Sequence, residues 1–198
     1  IIGSSAEYGI VPMNKQPISE SIMLGPVTPY GVTKANQELL ALQYYSRHDL
    51  YIVIARPFNI IGPGQSSRFI CGSIVEQIKN IQKGKGKDLS LGNLRASRDF
   101  VDIRDVIRAY WLLLTTKKNI SGEIFNIGSG NAYPIRQIIE VLSGYCKFNI
   151  KVKQKKEMFK AKAGKMILRL KGNMQSPNST LRDPAIFRII DESHPLHK

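Results

Sequence analysis

The stretch Pro29-Tyr30-Gly31-Val32-Thr33-Lys34 places a tyrosine four residues before a lysine at the predicted start of a helix. In an α-helix this spacing puts the phenol and the ammonium on one face, roughly 40° apart and about 6 Å along the axis. The ammonium favours the ionised form of the phenol. Tyr30 is therefore predicted to exchange a proton near neutral pH, as acid–base catalysis requires. Taken alone, the same spacing also fits a solvated helix pair.

A second hydroxyl and two further motifs accompany this pair. Ser4 ends a short apolar run, and the stretches ARPFNIIGPG (residues 55–64) and LGNLRASRDFVDIRDV (residues 91–106) follow downstream. In this order the motifs resemble those of the extended short-chain dehydrogenase/reductases that act on nucleotide sugars. The 91–106 stretch looks most like the GDP-mannose branch, especially its GDP-4-keto-6-deoxy-mannose reductases. The resemblance covers about residues 1 to 145.

The resemblance implies a catalytic role for three residues. Tyr30 would be the general acid that protonates a sugar oxyanion as hydride arrives, or the base in the reverse direction. Lys34 would keep that phenol acidic and bond the nicotinamide ribose of NAD or NADP. Ser4 would donate a hydrogen bond to the reacting oxygen. A polar strand end is the structural alternative for Ser4.

Ligand contacts are expected where a strand ends at Arg56. Ligands of open α/β sheets lie at the carboxyl ends of the strands. By resemblance, Pro57 and Phe58 would contact the nicotinamide and Asn59 the sugar nucleotide. A turn rich in proline and glycine is the alternative interpretation of these residues.

Three further residues are expected to contact the substrate. The guanidinium of Arg98 suits a diphosphate, because it can bind phosphate oxygens bidentately. The alternative for Arg98 is a surface ion pair with Asp99 or Asp102. Gly92 and Asn93 are candidates for contact with the nucleotide base.

No histidine has metal-ligand spacing, and we predict no metal.

Strands and helices alternate along the chain, which predicts an α/β fold with a doubly wound parallel sheet of the Rossmann type. A strand end at residues 1–4, strands at 51–56 and 123–127, and a loop at 10–29 are expected. Helices are expected at 30–47, 69–83, 102–115 and 135–145. Leu39, Leu40 and Leu42 would supply the apolar positions of the first helix, and Tyr110 and Trp111 would lie in the core.

The predicted domain organisation follows the motifs. Residues 1–68 would form the second half of a Rossmann-type nucleotide-binding domain that includes the catalytic helix. Residues 69–198 would form a partial substrate-binding lobe together with returning Rossmann elements at about 102–130, and a degenerate basic tail would follow residue 174.

Composition bounds the class of protein. The 198 residues carry a formal net charge of +14, of which residues 146–198 contribute +9 (13 Lys/Arg against 4 Asp/Glu). We expect a solvated basic surface or a phosphate-attracting site and no nucleic-acid partner, because no nucleic-acid motif is present. We expect no membrane partner, since no apolar run is long enough to span a bilayer. The two cysteines are expected to be reduced, and we predict a cytoplasmic protein.

The family binds pyrophosphate through a glycine-rich turn after its first strand, and no G-x-G-x-x-G follows a strand here. We therefore expect a fragment that lacks the first half of the nucleotide-binding fold. An inactive fragment or binding relic is the alternative from another functional class. A homodimer is expected for the full-length protein.

Two departures from the family bear on the reaction. Dehydratases carry a carboxylate where this chain has Ala6, with Glu7 displaced by one residue. Loss of water needs an acid near the leaving hydroxyl, so reduction of a GDP-linked 4-keto-6-deoxy-hexose is favoured. A nucleotide-sugar 4-epimerase and a GDP-mannose 4,6-dehydratase are the alternatives. Near Phe159 the family's acidic residue after an arginine is missing.

Overall fold

The computed structural model describes residues 1–146 and 148–154. Within these residues, the four predicted helices and the strands predicted at 51–56 and 123–127 are present, together with six short strands that the sequence did not predict. They are α1 (Pro29–His48), β1 (Ile54–Pro57), β2 (Asn59–Ile61), α2 (Ile70–Gln82), β3 (Asp88–Leu91), β4 (Ser97–Arg98), β5 (Phe100–Asp102), α3 (Ile103–Thr115), β6 (Ile124–Ile127), β7 (Tyr133–Pro134), α4 (Ile135–Gly144) and β8 (Lys151–Gln154). Short 3₁₀ helices span Ser5–Tyr8 and Met13–Lys15.

Parallel pairing organises the strands that lead to the candidate site. β1 pairs in parallel with β6, and Ile2 forms a parallel bridge with Ala55 on the other side of β1. The residues 1–3 thus run beside β1, as the predicted strand end requires. β2 pairs in parallel with β5, and β3 with β8, whereas the two-residue strands β4 and β7 pair antiparallel. The predicted α/β fold with parallel strands is confirmed.

Helix α1 begins and ends where its local chemistry dictates. Thr28 caps it by accepting the Gly31 N–H, and Pro29 occupies the first turn, where its missing N–H is not needed. The helix ends at Asp49, which adopts a left-handed conformation. These bounds agree with the predicted helix.

The buried face of α1 differs from the prediction. The helix buries Gly31, Ala35, Glu38 and Ala41, whereas Leu39 and Leu40 are 56% and 60% exposed. The expectation that these two leucines supply the core face was wrong. Small residues let the helix lie close to its neighbours, and a buried glutamate replaces the expected apolar contact.

The largest core cluster lies between α2, α4, β3 and β5. Ile74 and Ile138 are completely buried there, with Leu89 of β3 and Phe100 of β5 beside them. The amphipathic pattern predicted for α2 is confirmed, since Ile74 and Ile78 are both buried. A second cluster joins β1, β5, β6 and α3.

Helix α3 begins as predicted, because Asp102 accepts the backbone N–H of Arg104 as an N-cap. Tyr110 is partly buried against the second cluster. Trp111, however, is 65% exposed, so its predicted place in the core was wrong. It lies one residue beyond Tyr110 and therefore about 100° around the helix, away from the cluster.

Two predictions concern parts of the chain that lie outside this description. The departure near Phe159 and the basic tail after residue 174 both fall outside the described residues. The boundary at residues 68 and 69 stays a prediction. Within the described residues, no helix has the length and apolar character needed to span a membrane.

Candidate active site

Three parallel segments bring several predicted site residues to one edge of the sheet. Ser4 follows the segment that bridges to β1, Phe58 follows β1, and Ser129 follows β6. The Phe58 N–H donates to Ile127 O at 2.8 Å, which joins the ends of β1 and β6. Because carboxyl ends of parallel strands share an edge, Ser4, Phe58 and the turn at 128–130 lie on the ligand-binding side of such a sheet.

The first turns of α1 lie directly against the segment that contains Ser4. Lys34 Nζ donates to Ile2 O at 2.9 Å, two residues before Ser4. A Cβ placed on Gly31 would lie 2.6 Å from Ala6 O, two residues after Ser4. Gly31 is thus needed for the close approach of the two backbones. The helix turns that carry Lys34 and Tyr30 therefore contact the chain two residues before and two residues after Ser4.

Ser4 is held in place by a capping box. Its Oγ accepts the Ala6 N–H at 3.2 Å, and its own N–H donates to Glu7 Oε1 at 2.6 Å. A serine hydroxyl has one donor and two acceptor sites. Because Oγ accepts from Ala6, its O–H remains available to donate to a ligand oxygen.

Tyr30 and Lys34 differ in what they contact. Tyr30 is 58% exposed at the start of α1. Lys34 Nζ also donates to Gln37 Oε1 at 3.1 Å, so two of its three N–H donors are used by the described residues. The phenol of Tyr110 on α3 lies near Tyr30, and burial together with that neighbour raises the pKa of Tyr110.

A group of buried charges lies beneath Ser4 and was not anticipated from the sequence. Arg56 of β1 forms a bidentate ion pair with Glu38 of α1, through Nε at 2.8 Å and through its NH2 nitrogen. Glu7 Oε2 lies 3.5 Å from Arg56 Nε. The three side chains have almost no exposure, so one guanidinium faces two carboxyls inside the protein.

Burial and a like-charged neighbour raise the pKa of Glu7 to about 7. Loss of solvent has the larger effect, and the Glu38 carboxyl within hydrogen-bonding range adds to it. The Ser4 N–H and the Arg56 charge act in the opposite direction. Glu7 is therefore a group that can hold a proton at neutral pH.

Tyr8 extends this assembly toward the loop before α1. Its hydroxyl accepts from an Arg56 terminal nitrogen at 2.7 Å and donates to Asn126 Oδ1 at 2.7 Å. The Asn126 N–H donates to Glu20 Oε1 at 2.9 Å. Burial raises the pKa of Tyr8 despite the nearby guanidinium. Tyr8 is thus a fixed buried contact, whereas Tyr30 is exposed.

The expected ligand residues after β1 occupy the sheet edge with different exposures. Pro57 is the last residue of β1 and is buried opposite Ile127, and Phe58 is buried against Tyr8 and Ile18. Asn59 is half-buried, and its side-chain Nδ2 donates to Asp99 O at 2.8 Å. The side chain of Asn59 is therefore oriented by the segment that carries Arg98.

Asp99 ties the second group of predicted residues to the sheet edge. Its carboxylate accepts the backbone N–H groups of Ser129 and Gly130 at 2.8 and 2.9 Å, and the Ser129 hydroxyl at 2.7 Å. Arg98 donates to Ser97 O at 2.8 Å, and burial lowers the pKa of its guanidinium. Asp99 thus fixes the turn at 128–130 next to Asn59 and Arg98.

Gly92 and Asn93 lie in the bend after β3. Asn93 Oδ1 accepts the Arg95 N–H at 2.9 Å, which closes a local turn. Among the described residues, no hydrogen bond joins this bend to Ser4, Tyr30 or Lys34. Its predicted contact with a nucleotide base stays a prediction.

The buried residues Glu7, Glu38, Arg56 and Asp99 were missed as a group. A signal for Glu38 was present, because it follows Lys34 by four residues on the same side of the helix as Ala35 and Ala41. An arginine inside the short apolar strand β1 was a second signal that a buried partner exists. Glu7 gave no such signal, because its burial depends on the 3₁₀ turn after Ser4.

The residues of α1 that could hold the ribose end of a nicotinamide cofactor are Lys34, whose ammonium lies against Ile2 O, and Tyr30, which is exposed. No cluster of three potential metal ligands occurs among the described residues.

Comparison with known proteins identifies the family. The family model of GDP-mannose 4,6 dehydratase matches residues 1–182. The GDP-6-deoxy-D-mannose reductase of Pseudomonas aeruginosa is 36% identical over 154 residues, which cover 77% of this chain and 50% of that protein. The structure of RMD from Pseudomonas aeruginosa complexed with NADPH is similar, with a TM-score of 0.74 and 35% identity over 78% of this chain and 52% of that one.

The UDP-glucuronic acid 4-epimerase of Bacillus cereus, in complex with UDP-glucuronic acid and NAD, gives a TM-score of 0.69 and 33% identity over 79% of this chain and 48% of that one. This chain spans about half the length of the relatives it matches. The Rossmann-type fold and the matched residues together identify the family: the chain belongs to the GDP-mannose 4,6-dehydratase family.

Proposed function

We propose that the protein reduces the 4-keto group of a GDP-linked 4-keto-6-deoxy-hexose with NADPH or NADH. The observation that carries the proposal is that the helix turns that bear Tyr30 and Lys34 contact the chain on both sides of Ser4, two residues away in each direction. The similarity to the GDP-6-deoxy-D-mannose reductase and to the NADPH complex supports the choice of substrate and cofactor.

Each of the three residues has a defined part in this reaction. A bound nicotinamide would supply the hydride that reaches the ketone carbon. Tyr30 donates its hydroxyl proton to the former carbonyl oxygen, so that the ketone becomes an alcohol. The Ser4 O–H donates a hydrogen bond to the same oxygen while negative charge develops there. Lys34 stabilises the phenolate that remains on Tyr30.

Binding is assigned to the same edge of the sheet. Tyr30, Lys34, Pro57 and Phe58 would hold the nicotinamide end of the cofactor. Asn59 would contact the sugar nucleotide, and Arg98 would bind its diphosphate. The contact of Asn59 with Asp99 O ties it to the segment that carries Arg98. Gly92 and Asn93 are proposed to contact the base.

The environment of Glu7 favours reduction over loss of water. A dehydratase needs an acid that reaches the leaving hydroxyl. Here position 6 is alanine, and Glu7 is completely buried against Arg56. Neither residue presents an acid next to Ser4 on the ligand side.

Product analysis tests the proposal. The protein is incubated with GDP-4-keto-6-deoxy-mannose and NADPH, and the products are separated and identified by mass and NMR. We expect consumption of NADPH in equal amount to a GDP-6-deoxy-hexose of the rhamnose type. An unchanged substrate pool without cofactor consumption would refute the proposal.

A 4-epimerase is the second enzymatic candidate, favoured by the similarity to the UDP-glucuronic acid 4-epimerase. Epimerisation uses the same three residues without net consumption of cofactor. A second incubation separates the two activities, with a nucleotide sugar that carries a 4-hydroxyl and with NADPH. An epimerase inverts that carbon without net consumption of cofactor, whereas a reductase of the 4-keto sugar leaves the nucleotide sugar unchanged.

A binding protein without catalysis is the candidate from another class. The observation that favours it is the absence of a G-x-G-x-x-G turn after a strand in the 198 residues. Titration of the chain with NADPH and NADH decides between them, because tight cofactor binding contradicts this candidate. The predicted homodimer is tested by the mass of the protein in solution.

A further inference from the structure

The buried assembly of Glu7, Glu38 and Arg56 is electrically neutral only when the two carboxyls hold one proton between them. Both oxygens of Glu38 accept from Arg56. Glu7 Oε1 accepts from Ser4, whereas Glu7 Oε2 has no hydrogen-bond donor among the described residues. Because Glu7 Oε2 accepts no hydrogen bond from these residues, it is the oxygen best placed to carry the shared proton. When protonated, it can donate a hydrogen bond to the neighbouring Glu38 carboxylate.

The contact with Ser4 gives this proton a consequence for the site. The Ser4 N–H is only 2.6 Å from Glu7 Oε1, so the position of the Ser4 backbone depends on the Glu7 carboxyl. The Ser4 Oγ is fixed in turn by the Ala6 N–H within the same 3₁₀ turn. A shift of the Glu7 carboxyl therefore moves the Ser4 hydroxyl, which in the proposed reaction donates a hydrogen bond to the reacting oxygen of the substrate.

We propose that Glu7 is a positioning residue for Ser4, which it holds through the Ser4 N–H while its other oxygen shares a proton with Glu38 above Arg56. The kinetic part of this inference rests on the proposed function. The structural part does not, because it concerns contacts inside the chain.

Among the described residues, the charged and titratable groups that face Glu7 belong to this assembly. Glu38 faces it from α1, Arg56 from β1, and Tyr8 lies next to it in the same 3₁₀ helix. Arg56 spans Glu38, Tyr8 and Glu7, so loss of the shared proton leaves one uncompensated negative charge in a region without solvent. Repulsion between the two carboxylates then acts directly on the Ser4 contact.

The first test follows the backbone amide of Ser4 by NMR over a pH range centred on neutrality. We expect its ¹H shift to titrate with a midpoint at about pH 7, the value set by Glu7. Glu7→Gln should abolish this titration. The side-chain amide of the glutamine accepts from the Ser4 N–H through its oxygen, donates to Glu38 through its nitrogen, and does not ionise. Glu20→Gln is the matched control, since Glu20 also accepts a backbone N–H but contacts Asn126 instead.

The second test measures turnover in the reductase assay. We expect Glu7→Gln to keep kcat within about threefold, and Glu7→Leu to lower kcat on the order of 100-fold, as a misplaced catalytic group does. KM should change less than kcat, because Ser4 acts on the reacting oxygen. If Glu7→Leu does not fold, the Ser4 titration in Glu7→Gln still decides.

Two results would overturn the inference: a Ser4 amide that titrates identically in Glu7→Gln and in the unaltered protein, or a folded Glu7→Leu variant with unaltered kcat. An unaltered protein without reductase activity refutes the proposed function alone, because the Ser4 titration is read without substrate.

Discussion

Arg56 is the residue on which the buried polar contacts around the candidate site converge. It pairs with Glu38, lies 3.5 Å from Glu7 and donates to the Tyr8 hydroxyl, with its guanidinium 4.9 Å from the Tyr8 ring centre. A guanidinium suits this place because it offers several donors in a fixed plane and stacks on aromatic rings.

Arg56→Met is expected to destabilise the protein by about 3–5 kcal/mol, because it leaves two carboxyls buried without a cation. Lys153→Gln serves as the control. Its side chain is 70% exposed and pairs with Asp88, so its loss should cost only about 1 kcal/mol or less. Urea unfolding measures both. Equal losses for the two variants would contradict the account of Arg56.

Glu7 also predicts how stability depends on pH. Its pKa is about 7 in the folded protein, against an ordinary value of 4.5, so the folded state binds the proton more tightly. The contribution of Glu7 to the free energy of unfolding is therefore fully present below about pH 4.5. It is lost as the pH rises to about 7. The loss amounts to roughly 2–3 kcal/mol.

Unfolding free energies of the unaltered protein and of Glu7→Gln, measured across this pH range, test the prediction. The difference in unfolding free energy between the unaltered protein and Glu7→Gln should change by roughly 2–3 kcal/mol between pH 4.5 and pH 7. The difference between the unaltered protein and Glu20→Gln should stay constant. A constant difference between Glu7→Gln and the unaltered protein would show that Glu7 does not titrate in this range.

At the residue scale, helix spacing paired Tyr30 with Lys34, and the resemblance carried by the order of the motifs added Ser4. The catalytic roles of the three residues stay predictions. The same reasoning could not predict Glu7, because a glutamate beside a tyrosine is ordinarily exposed. Its burial follows from Arg56 and Glu38, which are distant in sequence, and pairwise contacts of that kind leave no local pattern.

At the scale of elements, the contact between α1 and the 3₁₀ helix Ser5–Tyr8 depends on a single glycine. A Cβ on Gly31 would meet the Ala6 carbonyl oxygen at 2.6 Å and the Pro26 side chain at 3.1 Å. Gly31→Ala should therefore cost about 1–3 kcal/mol and displace the first turn of α1.

Gly144→Ala is the matched control, because a Cβ there meets no atom within 4 Å among the described residues. It should leave stability unchanged or raise it by up to about 1 kcal/mol, since alanine favours the helix. Thermal unfolding compares the two variants. A harmless Gly31→Ala would refute the close approach of α1 to the Ser4 segment.

The faces of α1 and α2 give another element-scale prediction. Ile74 is completely buried in α2, so Ile74→Ala should cost about 2–5 kcal/mol. Leu39→Ala should stay within about 0.5 kcal/mol, because Leu39 is an exposed residue of α1. Chemical denaturation of both variants is the measurement. A large loss for Leu39→Ala would show that the face of α1 that carries Leu39 is covered in the protein.

The contrast between these helices explains where the sequence was informative. In α2 the isoleucines recur at helical spacing and the buried face coincides with them. In α1 the buried face is made of glycine, alanine and a paired glutamate, so the leucines indicate the wrong side. The spacing of apolar residues predicts a buried helix face that packs through large side chains. It does not predict a buried face of small residues, on which the helix backbone lies close to its neighbour.

For the whole molecule, alternation of strands and helices predicted the α/β fold, because parallel strands need helical crossovers. The pairing of β3 with β8 was not predicted. All four residues of β8 are exposed and polar residues dominate it, so it has no apolar alternation to mark it as a strand. Lys153 instead pairs with Asp88 across the strands, at 2.7 Å.

The central claim is that Tyr30 supplies the proton in a reaction at the edge of the sheet that carries Ser4. The most direct test is the NADPH-dependent turnover of GDP-4-keto-6-deoxy-mannose by Tyr30→Phe, compared with Tyr44→Phe, an exposed tyrosine of the same helix. We predict that Tyr30→Phe lowers kcat by at least about 100-fold and that Tyr44→Phe stays within about twofold. A Tyr30→Phe variant that turns over as fast as the unaltered protein would contradict the account.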